Sequence, residues 1–160
     1  DAELARLQDA GYLNARTAAI LDRDAIRRFF ASRFFAEVRR ASVVRREFRF
    51  ARFVPLASLT REPTLREALG DRTLYVQGSV DLLCEYPDGR ITVADYKTDR
   101  IRRAERDDPT LLAARLTDEY GSQLEQYAAA VREIYGRAPD RILIYSVPLG
   151  EALEIHLPPV

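Results

Sequence analysis

A five-residue turn dictates more of this fold than any other stretch of the chain. Tyr86-Pro87-Asp88-Gly89-Arg90 separates two runs rich in apolar and β-branched residues, 74–86 and 90–98. Proline presets φ at the first corner, aspartate suits the second, and glycine can take the left-handed conformation that closes a three-residue hairpin loop. Such a loop sets the register. Tyr86 then faces Arg90, and equal steps back along both strands bring Asp81 opposite Asp95. Directly opposed residues on antiparallel strands share a face. A period of two adds Lys97 to that face and sends Tyr96 to the other. A slip of one residue would undo the arrangement.

Lys97 is the only lysine among 25 basic side chains; the rest are arginine. Two carboxylates held close repel and are costly to desolvate, so a fold keeps them together with something cationic between. Lys97 can be that cation, giving a structural ion-pair cluster. A hard divalent metal can be it instead, because magnesium binds one or two carboxylates, keeps several waters and takes phosphate oxygens as further ligands. Spacing alone leaves both open. Gly78, three residues before Asp81, removes a side chain where a polymer backbone could approach.

The remaining pattern is helix, three strands, helix, strand, an α/β order. Segment 1–42 reads as helical: one helix at 3–10 closed by Gly11, then one or two within 22–40, with Ile26, Phe30 and Phe34 in a stripe. The core, 43–160, opens with a strand at 43–53. A connection carrying Pro55 and Pro63, with one helical turn near 65–69, leads to the hairpin. A charged, irregular stretch is expected at 99–117, then a helix at 118–135. There Tyr120, Leu124, Tyr127, Val131 and Tyr135 recur at three and four, and Gly136 stops it. A mostly apolar strand at 141–147 follows, and the tail ends in Pro158-Pro159. The intervening helix supplies a crossover, so the third and fourth strands are expected to be parallel.

Composition excludes several classes. An apolar fraction of 47% excludes disorder. No apolar run approaches the ~20 residues of a membrane span. One cysteine, Cys84, excludes a disulfide framework, a four-cysteine zinc site and a cysteine-ligated iron–sulfur cluster; it is expected to be a packed thiol. A reducing, cytoplasmic setting fits. No phosphate-cradling GxxxxGK[ST] loop occurs, so no ATP site is expected. The absence of methionine leads to the expectation that this is a fragment of a longer chain. The net charge of zero hides an excess of five positive charges in 1–80 and five negative in 81–160. Nine arginines within 27–52 read chiefly as a solvated face. Arg100, Arg102, Arg103 and Arg106 divide between phosphate steering and a solvated loop.

Gly78-Ser79-Val80-Asp81, Asp95-Tyr96-Lys97-Thr98-Asp99 and Gln123-Leu124-Glu125-Gln126-Tyr127 resemble the GxxD, DYKTD and QxxxY series of RecB-type nucleases. These belong to the PD-(D/E)XK superfamily. The pattern is most similar to the C-terminal nuclease domains of AddA-type helicase–nucleases. Arg46-Glu47-Phe48-Arg49-Phe50 resembles their first core strand, and the likeness covers residues 20–147. It implies a restriction-endonuclease-like αβββαβ core, a mixed four-stranded sheet flanked by helices with extra N-terminal helices.

The resemblance also implies roles. Asp81 and Asp95, with the backbone carbonyl of Tyr96, would ligate Mg2+ or Mn2+, and Lys97 would act on the attacking water or the phosphate. Gln123 and Tyr127 would brace the site and touch DNA. Glu47 matches an acidic family position, and Arg100 follows the catalytic strand. The implied activity is exonucleolytic DNA hydrolysis in double-strand break repair and recombination. Implied partners are DNA, helicase domains of the same chain and a second, AddB-like protein. A stand-alone RecB-like nuclease and a docking module without catalysis are the alternatives; the former usually carries the iron–sulfur cluster that one cysteine cannot supply. Family members also carry a metal-ligating histidine on a helix upstream of the first strand. The only histidine here is His156, beyond the last core strand, where a surface or packing role is expected. The histidine-bearing helix is therefore expected before Asp1.

Overall fold

Alternating apolar residues build one five-stranded sheet from β1 (Val43–Pro55), β2 (Thr73–Glu85), β3 (Ile91–Lys97), β4 (Arg141–Ser146) and β5 (Glu151–Glu154), in that spatial order. This computed structural model describes residues 2–60 and 62–157, so the proline pair of the tail lies outside the described residues. The β1/β2, β2/β3 and β4/β5 pairs are antiparallel and β3/β4 is parallel. The mixed sheet and α/β class agree with the sequence reading, and the first four strands lie within two residues of it. Strand β5 is additional: four residues after Gly150, it pairs with β4 and covers that edge.

The turn behaves as its residues require. Gly89 has φ +85°, and the Tyr86 N–H donates to the Arg90 carbonyl at 2.9 Å. The ladder runs from Glu85↔Ile91 to Leu82↔Ala94. One further step in that register brings Asp81 opposite Asp95.

Four helices precede the sheet: α1 (Ala2–Asp9), α2 (Ala15–Ile20), α3 (Arg23–Ala31) and α4 (Arg33–Val38). The stripe of Ile26, Phe30 and Phe34 does not form one face. Ser32 ends α3 and caps α4, its Oγ accepting from Phe35 N at 3.1 Å. The chain turns there. Phe34 is 5% exposed and stacks on Tyr145, while Phe30 is 58% exposed.

After β1 come a 3-10 turn (Leu56–Leu59) and α5 (Pro63–Leu69). The stretch at 99–117 is not irregular. It holds α6 (Arg103–Asp107) and the first nine residues of α7 (Pro109–Tyr135). Asp108 accepts from Thr110 N at 3.0 Å, and Pro109 occupies the position where its missing N–H costs nothing. Gly136, at φ +73°, closes the helix as expected. Leu112, Leu116, Leu124, Tyr127 and Val131 pack on one face of the sheet with Leu83, Val93 and Ile144. The other face packs Leu82, Cys84, Ala94 and Tyr145 against Phe34 and Val38 of α4. Full burial of each large aliphatic side chain contributes about 1.5–3 kcal/mol, so α7 is firmly fixed against β3. Among the described residues no helix is long and apolar enough to cross a membrane.

Strand alternation resets once. Val44 on β1 and Leu82 and Cys84 on β2 face α4, but Phe48, Phe50, Val76 and Val80 face α7. Strict period two would keep these even-numbered residues together. The change falls at Glu47, the only non-glycine residue with positive φ (51°) among those described. Glu47 lies between the pairs Arg46↔Leu82 and Phe48↔Val80, and hence across from Asp81. A left-handed non-glycine residue costs about 1–2 kcal/mol, and here the strain sits one strand from a candidate metal ligand.

Candidate active site

Strand β3 ends in Asp95-Tyr96-Lys97, and α7 lies against it. Asp95 is 1% exposed. Its Oδ1 accepts from Tyr127 Oη at 3.2 Å and from Gln123 Nε2 at 3.3 Å. Gln123 Nε2 also donates to Tyr127 Oη at 2.5 Å. The two α7 residues are four apart, one turn on a single face. Lys97 Nζ stands 2.5 Å from Asp95 Oδ2 and donates to Gln123 Oε1 at 3.2 Å. Asp81, one strand away, accepts from Tyr96 N at 2.9 Å through Oδ2. The sequence-derived juxtaposition of Asp95, Lys97, Gln123 and Tyr127 is therefore present, with Asp81 bonded to the backbone between the first two.

Burial pushes the Asp95 carboxyl above its ordinary range, the Lys97 ammonium pulls it down, and the Asp81 charge adds to the rise. Burial and the charge of Asp95 push the Tyr127 hydroxyl up to about 12. The phenol thus stays a donor at neutral pH. Asp95 Oδ2 is buried and makes no hydrogen bond of normal geometry, its one close neighbour being the off-angle Lys97 ammonium. It is a hard oxygen donor with spare acceptor capacity, which fits a divalent cation better than a closed ion pair. No group of three or more His, Cys, Asp and Glu converges among the described residues. The protein donors available to a metal here are Asp81, Asp95 and the Tyr96 carbonyl, the small set that magnesium tolerates by keeping water.

One residue of the site escaped the sequence reading. The Tyr120 ring lies 4.0 Å from Lys97 Nζ, a cation–π contact, and its hydroxyl donates to Asp99 Oδ1 at 2.9 Å. The signal was present, since Tyr120 is three residues before Gln123 on the same helix face.

The other singled-out residues are peripheral. Glu47 is exposed and accepts from Ser79 Oγ at 3.3 Å. The space over Gly78 does not admit a polymer backbone: Phe50, directly opposite, fills it, and a Cβ would lie 2.6 Å from Phe50 Cζ. Arg100 is exposed, and its carbonyl accepts from Arg115 Nη2 at 3.1 Å. That arginine also bonds the buried Glu105 at 2.7 Å, fastening the segment after Lys97 to α7. Cys84 is buried, with its thiol pushed up to about 11 by burial. His156 is exposed beyond β5.

A strand ending in Asp–X–Lys beside a second carboxylate, within a mixed sheet braced by a Gln/Tyr helix, defines a nuclease of the PD-(D/E)XK class. The family model described as the PD-(D/E)XK nuclease superfamily matches residues 1–155, and the chain belongs to that superfamily. Such nucleases generally use divalent metals. Among similar proteins are the AddA-type ATP-dependent helicase/nuclease of Desulforudis audaxviator, 32% identical over 151 residues, and that of Desulforamulus reducens, 33% identical over 138. The matches cover 94% and 86% of this chain but only 11% and 10% of those relatives. The chain is a nuclease domain homologous to one part of these helicase/nuclease proteins.

Proposed function

We propose that this chain is a Mg2+-dependent DNA exonuclease domain of an ATP-dependent helicase–nuclease acting in double-strand break repair and recombination. The observation that carries the reading is the buried Asp95 carboxylate, one oxygen held by Tyr127 and Gln123 and the other left to a cation. Asp81, Asp95 and the Tyr96 carbonyl would hold the ion. A bound magnesium supplies Lewis-acid polarisation of the phosphate and lowers the pKa of a bound water. Lys97 brings a positive charge to the phosphate and orients the water. Phosphodiester cleavage sets an anion against an anion, so neutralising charge as it develops is the main task. Gln123 and Tyr127 hold the Asp95–Lys97 geometry, and Gln123, Tyr127, Glu47 and Arg100 are available to DNA. None of these residues is arranged to read base edges, which favours low sequence specificity.

The names of the relatives support helicase domains in the same chain as partners; a second, AddB-like protein is proposed on resemblance alone. Digestion of end-labelled linear DNA against covalently closed circles tests the activity. The reading expects magnesium-dependent loss of the linear form, arrest by EDTA, and no cutting by Asp81→Asn or Lys97→Ala. Cutting of closed circles at the same rate would contradict an exonuclease. A protein that folds and binds DNA but never cuts would support a docking module.

A further inference from the structure

Beyond Glu47 and Asp81, strands β1 and β2 continue as a two-stranded ribbon with two unlike faces. One face packs Phe48, Phe50 and Val76 toward α7. The other presents Arg49, Ala51 and Phe53 of β1 beside Ser79, Gln77 and Tyr75 of β2. Phe53 and Tyr75 are a directly opposed pair, 68% and 56% exposed, with ring centroids 5.3 Å apart. Large aromatic residues at that exposure do not serve the core. Toward the site the next pairs are Ala51↔Gln77 and Arg49↔Ser79, small or polar except for the arginine, and then Glu47 and Asp81. The ribbon holds Arg49 and Arg52 and no acidic residue across 48–55 and 73–80. Arg52 is engaged with Glu133 and Gln126 of α7, while Arg49 is exposed on the aromatic side.

We propose that this outer face is a binding tract for single-stranded DNA, with Phe53 and Tyr75 as the stacking platform and Arg49 a phosphate contact between it and Asp81. This rests on the nuclease reading for why the strand is there. Three features favour an unpaired strand. Exposed aromatic faces stack on bases that a duplex keeps occupied. The face carries positive and no negative side chains until Glu47. The tract runs without a break into the site, and six residues of strand place the platform about 20 Å from Asp81, within reach of a few nucleotides.

The test is fluorescence anisotropy of labelled oligothymidylate (12 nucleotides), in EDTA so that nothing is cut, with the wild-type chain and Phe53→Leu/Tyr75→Leu. Leucine keeps apolar area and removes the π face. Loss of base stacking weakens oligothymidylate binding by about 5- to 150-fold per stacked base, and leaves binding of a blunt 12-base-pair duplex within twofold. An unchanged dissociation constant, as expected if a partner protein covers the patch, overturns the proposal. Equal weakening on single strand and duplex overturns it too, as does a wild-type chain that binds no oligothymidylate. Hydrolysis of the p-nitrophenyl ester of thymidine monophosphate in magnesium reads the catalytic centre separately. If the wild type binds the strand through the platform but cleaves nothing, the tract stands and the nuclease reading fails.

Discussion

Lys97 Nζ lies 2.5 Å from Asp95 Oδ2, with the two side chains 16% and 2% exposed, and the ring of Tyr120 closes the other side of the ammonium at 4.0 Å. A flexible four-carbon amine at a strand end would otherwise sample many rotamers. Here three groups from two elements, Asp95 of β3 and Gln123 and Tyr120 of α7, define one position. The Tyr120 hydroxyl also holds Asp99, two residues beyond the lysine.

Tyr120 therefore positions Lys97. A partly buried cation–π contact is worth about 0.5–2 kcal/mol, so Tyr120→Leu should lower kcat by about 2- to 30-fold. KM should change less than twofold. Tyr120→Phe keeps the ring and should retain most of the rate. Steady-state cleavage of linear DNA by both variants checks this, and equal losses in the two would assign the effect to the Asp99 bond instead.

Gly78 answers to Phe50 rather than to a ligand. A methyl group there meets the ring at 2.6 Å, and overpacking of this kind costs about 1–3 kcal/mol. Gly78→Ala should lose that much stability in urea denaturation. Adding Phe50→Leu should restore part of it. Failure of the second change to help would mean that the glycine serves backbone freedom, not space.

The Arg115 guanidinium, with the Arg102 N–H, holds the Glu105 carboxyl below its ordinary range. The sign follows from linkage. A depressed carboxylate contributes stability that is present above its unfolded pKa near 4.5 and is lost as pH falls through the lower folded value. Melting temperature from pH 6 to 2.5 should fall more steeply for the wild type than for Glu105→Gln. Parallel curves would show that the Glu105–Arg115 bond does not stabilise the fold.

The hairpin register was legible because Pro87, Asp88 and Gly89 leave the chain one way to turn, and register then places every side chain behind it. Gln123 and Tyr127 were legible because a helix puts positions four apart on one face. What escaped depended on other information. The start of α7 was written in Asp108 and Pro109, a cap followed by a first-turn proline, but the surrounding charges hid it. Strand β5 has only four residues, Glu151–Glu154, two of them glutamate, and exists because the edge of β4 needs a partner. Ser32 read as an ordinary helix residue until its hydroxyl was seen to cap the next helix. No pattern announces the left-handed backbone of Glu47, since non-glycine residues reach it only under tertiary constraint.

The most direct measurement sets catalysis against stability in one variant, Asp95→Asn/Lys97→Met, which removes both charges of the pair at once. Replacing a buried ion pair with neutral side chains is often neutral or stabilising by about 1–4 kcal/mol. The account predicts a urea midpoint equal to or above that of the wild type, with magnesium-dependent DNA cleavage reduced by about a thousandfold or more, on the order of 4 kcal/mol of lost transition-state stabilisation. Cleavage at wild-type rate in that folded variant would contradict it.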